Sequence, residues 1–154
     1  MLADFHTLPE QARIWLYASE NALSKDQQDY ILNIISEELK GWNAHQQPLT
    51  AGVSILENHF IVVGLDENKN RASGCSIDTL QNTIQKIEKE LSFSLINRLN
   101  VFYKIEDEIL CMPSFKLSTV ADKDTLFYDL TILKKRDLNT YLKPISKGWC
   151  AHLV

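Results

Sequence analysis

Phe60-Ile61-Val62-Val63-Gly64-Leu65, the loop Asp66-Glu67-Asn68-Lys69-Asn70-Arg71, and then Ala72-Ser73-Gly74-Cys75-Ser76-Ile77-Asp78 decide how this chain folds. Six consecutive apolar residues predict an interior strand covered on both faces, because a strand with one wet face alternates apolar and polar positions. Beyond the loop, Ile77, Leu80, Ile84, Ile87 and Leu91 recur at spacings of 3, 4, 3 and 4. That spacing is one face of a helix, and Gln81, Gln85, Lys86, Glu88 and Lys89 fall on the other. The junction between strand and helix gathers small residues, a thiol, two hydroxyls and a carboxylate. A helix start leaves backbone N–H groups without intrahelical partners. The segment therefore reads both as an ordinary cap and as a natural place for anion binding or thiol activation.

Working upstream, Val53 and Ile55 alternate with polar or small neighbours, and Glu57-Asn58-His59 predicts a hairpin turn into the apolar strand. Before them, Ser24 precedes a helical run with Asp26 in its first turn. Tyr30, Ile31, Ile34, Ile35, Leu39 and Trp42 form its apolar stripe, and Gly41 offers a left-handed stop. Arg13-Ile14-Trp15-Leu16-Tyr17 reads as a first strand. Downstream, Val101–Ile105 and Ile109–Met112 flank Glu106-Asp107-Glu108 as a second hairpin, and Thr125–Leu133 predicts a further strand before a short helical stretch and a tail ending near Trp149. Through residue 105 the order is strand, helix, strand, strand, helix, strand. The expected fold class is therefore α+β: a ferredoxin-like βαββαβ antiparallel sheet, two main helices on one face, and additional C-terminal strands. No linker or repeat interrupts the chain, so residues 1–154 are expected to form a single domain.

The 45% apolar and 23% charged residues suit a folded chain. With 16 basic against 20 acidic residues and a net charge of −4, the chain lacks the basic footprint of a nucleic-acid binder. Its only cationic run, Lys134-Lys135-Arg136, reads as a solvated face. Met1–His6 has no cationic region followed by an apolar core, and no apolar run is long enough to cross a membrane. Cys75, Cys111 and Cys150 are odd in number and widely spaced, which suits reduced thiols in a cytoplasm.

The nucleotide-binding and hydrolase signatures are missing. The five glycines stand alone, so there is no Gly-x-x-x-x-Gly-Lys-Ser/Thr loop, no Gly-x-Gly-x-x-Gly and no Gly-x-Ser-x-Gly; His-Glu-x-x-His is absent too. Cys150-Ala151-His152 is too short a cluster to make a zinc site, and no metal or cofactor is expected. Two segments remain. Cys75 near a helix N-terminus is a candidate nucleophile or redox thiol, with His45 as its base and Asp66 or Asp78 orienting the histidine. Trp42-Asn43-Ala44-His45-Gln46-Gln47-Pro48-Leu49 places an aromatic, an imidazole and amides where a ligand pocket could form. Candidate ligand-binding residues are Trp42, His45, Ser73, Gly74 and Ser76. The same residues read more simply as packing and caps, with Cys75 a small buried hydrophobe.

Arg13-Ile14-Trp15-Leu16-Tyr17, Trp42-Asn43-Ala44-His45 with Pro48-Leu49-x-Ala51, and Ser73-Gly74-Cys75-Ser76-Ile77-Asp78 together resemble a family of short bacterial proteins of about this length. Its members often carry the label "ABC transporter ATPase". The resemblance spans most of the chain, down to Trp149, and implies no established activity. Gln46 stands where that pattern, Ala-His-Gly-x-Pro-Leu, has glycine, which weighs against a tight turn after His45. The label itself demands a Walker A loop that this sequence does not contain. The expectation is a non-catalytic cytoplasmic α+β domain that binds a small ligand or protein partner, not an autonomous ATPase. Its site would lie where the 44–48 loop, Asp66 and the 73–78 turn converge. The alternatives are a cysteine-dependent enzyme using Cys75 and His45, or a structural subunit that dimerises through a sheet edge.

Overall fold

A computed structural model describes residues 1–154. The fold is α+β, with two long helices and antiparallel sheets. It comprises β1 (Arg13–Ala18), α1 (Lys25–Lys40), β2 (Asn43–Ala44), β3 (Gln47–Pro48), β4 (Ala51–Leu56), β5 (Phe60–Leu65), α2 (Gly74–Leu91), β6 (Asn100–Ile105), β7 (Glu108–Pro113), β8 (Leu126–Tyr128) and β9 (Leu142–Pro144), with short 3-10 turns between. The chain forms two compact units, one of Met1–Ile96 with Leu133–Arg136, the other of Asn97–Ile132 with Asp137–Val154.

The first unit is built on a sheet ordered β1-β5-β4, with Trp15, Val63 and Val53 in one cross-strand row. Because side chains alternate along a strand, the odd-numbered residues share a face. On that face Tyr17, Ala51, Ile61, Val63 and Leu65 bury against Ile31, Ile35 and Leu39 of α1 and Leu80, Ile84 and Ile87 of α2. The opposite face is closed by the N-terminal segment: Phe5 and Leu8 sit over Gly64, and the backbone of Ala3 and Phe5 runs directly over Gly52, its cross-strand partner. Every residue of β5 is buried, as its unbroken apolar sequence requires.

Both helices start as their sequences direct. Ser24 and Gln27 form a reciprocal capping box on α1, and Ser73 and Ser76 form one on α2. α1 ends at Gly41 with φ −106°, so the expected left-handed stop is not used there. At the other end of α2, the Glu88 carboxylate accepts the N–H groups of Leu95 and Ile96 at 2.7 and 2.9 Å. This holds Leu95 where its carbonyl takes the Ala18 N–H, at the outer edge of β1.

The ferredoxin-like arrangement needs one correction. Its first five elements, βαββα, are present, but the closing strand does not join β1. Residues 100–105 instead pair with β7 and β8 in a second sheet, ordered β7-β6-β8-β9. β6 and β7 are complementary partners joined by a tight turn, and the outer edge of β1 is already taken. The Ile14 N–H donates to the Leu133 carbonyl and the Lys135 N–H to the Ala12 carbonyl. Lys135 Nζ adds bonds to the carbonyls of His6 and Leu8 and lies 5.5 Å from the Phe5 ring centroid. The cationic run expected to be a solvated face is thus, at Lys135, a clasp on the N-terminal segment.

In the second unit Val101, Tyr103, Leu117, Phe127, Ile145 and Cys150 form the core. The strand expected over Thr125–Leu133 ends at Tyr128. Asp129 stops it: its carboxylate accepts the N–H and hydroxyl of Thr131, folding the chain into a turn, and also pairs with Lys143 Nζ at 3.0 Å. Burial pushes the Asp129 carboxyl up, but the bonds from Thr131 and Lys143 outweigh it and hold the group below the ordinary carboxylate range.

Candidate functional site

The sequence between α1 and α2 folds so that two segments expected to carry chemistry meet. Trp42 follows the last turn of α1, in line with the apolar stripe, and is almost fully buried. Its ring packs edge-on against Trp15 at 5.7 Å, and its indole N–H donates to the Ser76 carbonyl at 2.8 Å. Ser76, also buried, donates its hydroxyl hydrogen to the Asn43 carbonyl at 2.7 Å. That hydrogen being committed, the Ser73 hydroxyl is the donor in its 2.7 Å contact with Ser76 Oγ. Of three residues expected to bind ligand, Trp42 and Ser76 therefore spend polar groups tying the two segments together, and Ser73 spends its own on the cap of α2.

Residues 43–48, expected as a loop, form a two-stranded hairpin with Asn43 opposite Pro48 and Ala44 opposite Gln47. Its turn is His45-Gln46, both left-handed with φ 51° and 68°. This is the geometry of a type I′ turn, whose twist matches that of the flanking strands. The tight turn thus forms without the glycine that the resemblance led one to expect, at a steric cost borne by Gln46. Gln46→Gly should raise stability by about 0.5–1 kcal/mol, the relief of a left-handed side chain less the extra freedom glycine gains when unfolded. A thermal melt measures it; an unchanged or lower midpoint would show that the Gln46 side chain contributes a stabilising contact of its own.

Between this hairpin and the start of α2 lies an open cleft of about 400 Å³, lined by Glu38, Trp42, Asn43, His45, Gln46, Ser73, Cys75, Ser76 and Thr79, with Gly41 at its edge. His45 and Cys75 thus share one cleft, and Cys75 is exposed instead of being packed away. The remaining expected residues lie elsewhere. Asp66, at the end of β5, accepts the Asn68 N–H at 3.0 Å and does not line the cleft. Asp78 is exposed on α2, one residue beyond the first turn, and does not line it either. Gly74, the first residue of α2, is exposed beside the cleft. The 66–71 loop is connected through Asn70, whose amide donates to the Pro48 carbonyl at 2.9 Å.

Glu38 and Thr79 were not anticipated, although the signal was available. Glu38 lies four residues before Trp42 and Thr79 four after Cys75, the spacing that stacks side chains on one helix face. Thr79 Oγ1 donates back to the Cys75 carbonyl at 2.8 Å.

No family model, curated protein or solved structure matches this chain.

What the cleft can do must therefore be read from its own groups. It offers an imidazole, a thiol, two amides, hydroxyls and one carboxylate within a single small volume. The capping box engages the N–H groups of Ser73 and Ser76, and those of Gly74 and Cys75 lie in the turn where a helix has no internal acceptor for them. No three His, Cys, Asp or Glu side chains converge where they could hold a metal ion. No helix is long and apolar enough to cross a membrane.

Proposed function

We propose that this chain is a non-catalytic binding domain that takes a small polar ligand, or a short polar segment of a protein partner, in the cleft between the 43–48 hairpin and the start of α2. The observation that carries this reading is the cleft's construction. Its floor and walls are fixed by the Trp42, Ser73 and Ser76 bonds, while His45, Gln46 and Cys75 remain exposed at its mouth. A rigid base with adaptable polar groups around it is the composition of a recognition site. The absence of a Walker A loop in the sequence argues against ATP hydrolysis, and the net charge of −4 against a nucleic-acid partner. Within the same reading the three free cysteines work reduced, in the cytoplasm of a bacterium.

Cys75 supplies the experiment. Its alkylation by iodoacetamide, mapped by peptide mass spectrometry against a Cys75→Ser control, reports on occupancy of the cleft. Members of a panel of anionic, cationic and neutral polar metabolites that fit should slow labelling at Cys75 while leaving Cys111 unchanged, and Thr79→Trp, which fills the cleft, should abolish that protection. A panel that protects nothing would overturn the small-ligand reading.

One observation favours a second reading: Cys75 and His45 line the same cleft. If His45 activates the thiol, labelling of Cys75 persists well below the ordinary thiol pKa of about 8.5 and falls in His45→Ala. An ordinary thiol profile in both proteins would reject the enzyme.

A further inference from the structure

The first sheet closes most of its own edge. Beside β1, the backbone of Leu133 and Lys135 takes one end and the Leu95 carbonyl takes the other. At the opposite edge, Met1–Ala3 runs parallel to the start of β4: the Ala51 N–H donates to the Met1 carbonyl at 3.1 Å, and the Ala3 N–H to the Ala51 carbonyl at 2.8 Å. Outward-pointing backbone groups alternate along a strand. Ala51 bonds outward, whereas Thr50 accepts from Asp66 on the inner side. Val53 and Ile55 therefore also point outward, and β4 pairs with nothing but β5 along that stretch.

This open stretch carries none of the usual protection. Ala51-Gly52-Val53-Ser54-Ile55-Leu56 has no charge and no proline, and its register against β5 is unbroken. Edge strands that must stay single are normally blunted by such devices. Val53 and Ile55 are half-buried at the rim of the core, as is Ile34 of α1, so the edge is apolar as well as unpaired.

We infer that the β4 edge docks a second copy of this chain, extending the sheet antiparallel across a two-fold axis at Ser54. In that register Val53 meets Ile55 of the other copy and Ile55 meets its Val53, each pair exchanging both N–H···O bonds. The free stretch is short, bounded by Met1–Ala3 at one end and the Glu57–Asn58 turn at the other. A longer foreign strand would collide with both boundaries. A second copy offers a stretch of the same length, bounded in the same way, and a two-fold contact closes on itself. The two Ser54 residues then stand directly opposite each other, with Cα atoms about 4.5 Å apart.

Sedimentation equilibrium over roughly a hundredfold range of concentration should show the mass rising from one chain towards two. Ser54→Lys and Ser54→Glu should each remain monomeric, since like charges face each other across the axis, and an equimolar mixture should associate again. Circular dichroism establishes that both variants fold. As a measurement free of substitutions, amide exchange at Val53 and Ile55 should slow as concentration rises, while exchange at Ser54, bonded within the sheet, stays constant. A parent protein monomeric throughout, association that survives in Ser54→Lys, or a mixture that stays monomeric would each overturn the inference. None of these outcomes bears on the cleft, which lies at the start of α2.

Discussion

Gly52→Ala is expected to cost about 3 kcal/mol of stability and to release the N-terminal segment from the sheet. An ideal Cβ at Gly52 would lie 2.5 Å from the Ala3 carbonyl oxygen, 2.7 Å from the Phe5 nitrogen and 2.9 Å from the Phe5 Cα. All three are backbone atoms, so no side-chain rotation relieves the overlap. The segment must lift, and with it go the bonds between Met1, Ala3 and Ala51 and the burial of Phe5, now 3% exposed. No glycine in the chain has a positive φ, so conformational freedom is not the reason for glycine here; close approach is. Chemical denaturation measures the loss, and amide exchange at Ala3 and Ala51 locates it. Parent-like stability would mean that the segment slides without losing contact. Gly64 makes a useful comparison, because its added methyl would meet the ring of Phe5 and the end of Leu8 at 2.8 Å. Side chains yield more readily than backbone, so Gly64→Ala should be the milder change.

This clash illustrates what the sequence could and could not reveal. The apolar run Phe60–Leu65 predicted burial on both faces, and both faces are buried. What covers the second face was illegible. Phe5 and Leu8 belong to a segment with no periodicity, and the glycines that admit them, Gly52 and Gly64, become neighbours only through the register of β4 on β5. The helices were legible because each carries its signal locally, an apolar stripe and a serine cap. The partner of β6 was not, since pairing is a long-range choice. A strand that follows a helix can return to the first sheet or start another. The competing occupant of the β1 edge, Leu133–Lys135, lies some way along the chain and looks like part of a charged run.

For the candidate site, local sequence brought out Trp42, His45, Ser73, Cys75 and Ser76, all of which line one cleft. It overreached with Asp66 and Asp78. Asp66 is taken up by its own loop through the Asn68 N–H, and Asp78 falls one residue beyond the first turn of α2, exposed and outside the cleft lining. The hairpin at 43–48 stayed hidden because Gln46, the second residue of its turn, is a poor left-handed former, and the usual Asn-Gly signal is missing. The bonds of Trp42 to Ser76 and of Ser76 to Asn43 stabilise that hairpin from outside, so a turn of weak local propensity is held by tertiary contacts.

The second large effect is expected in the other unit. Gly148→Ala should destabilise it by about 3 kcal/mol or more, beyond the usual range for one added methyl. A Cβ there would fall 2.1 Å from Phe127 Cζ and 2.3 Å from Cε1. Gly148 has φ −119° and ψ −179°, extended backbone open to any residue, so the demand for glycine is again purely steric. Phe127 is fully buried at the centre of its core, and Tyr103 lies opposite it on β6. With the ring enclosed in that core, the clash is expected to displace either β8 or the 145–148 turn, which is bonded through Ile145 and Ser146 to Thr125 and Lys123. The double substitution Phe127→Leu with Gly148→Ala separates this account from a general intolerance of the turn. Trimming the ring creates the space that the methyl needs, so the pair should lose less than the sum of the two single losses, with a coupling of about 1–2 kcal/mol. If the two losses simply add, ring and glycine are not in the contact that the geometry describes, and the turn is sensitive for some other reason.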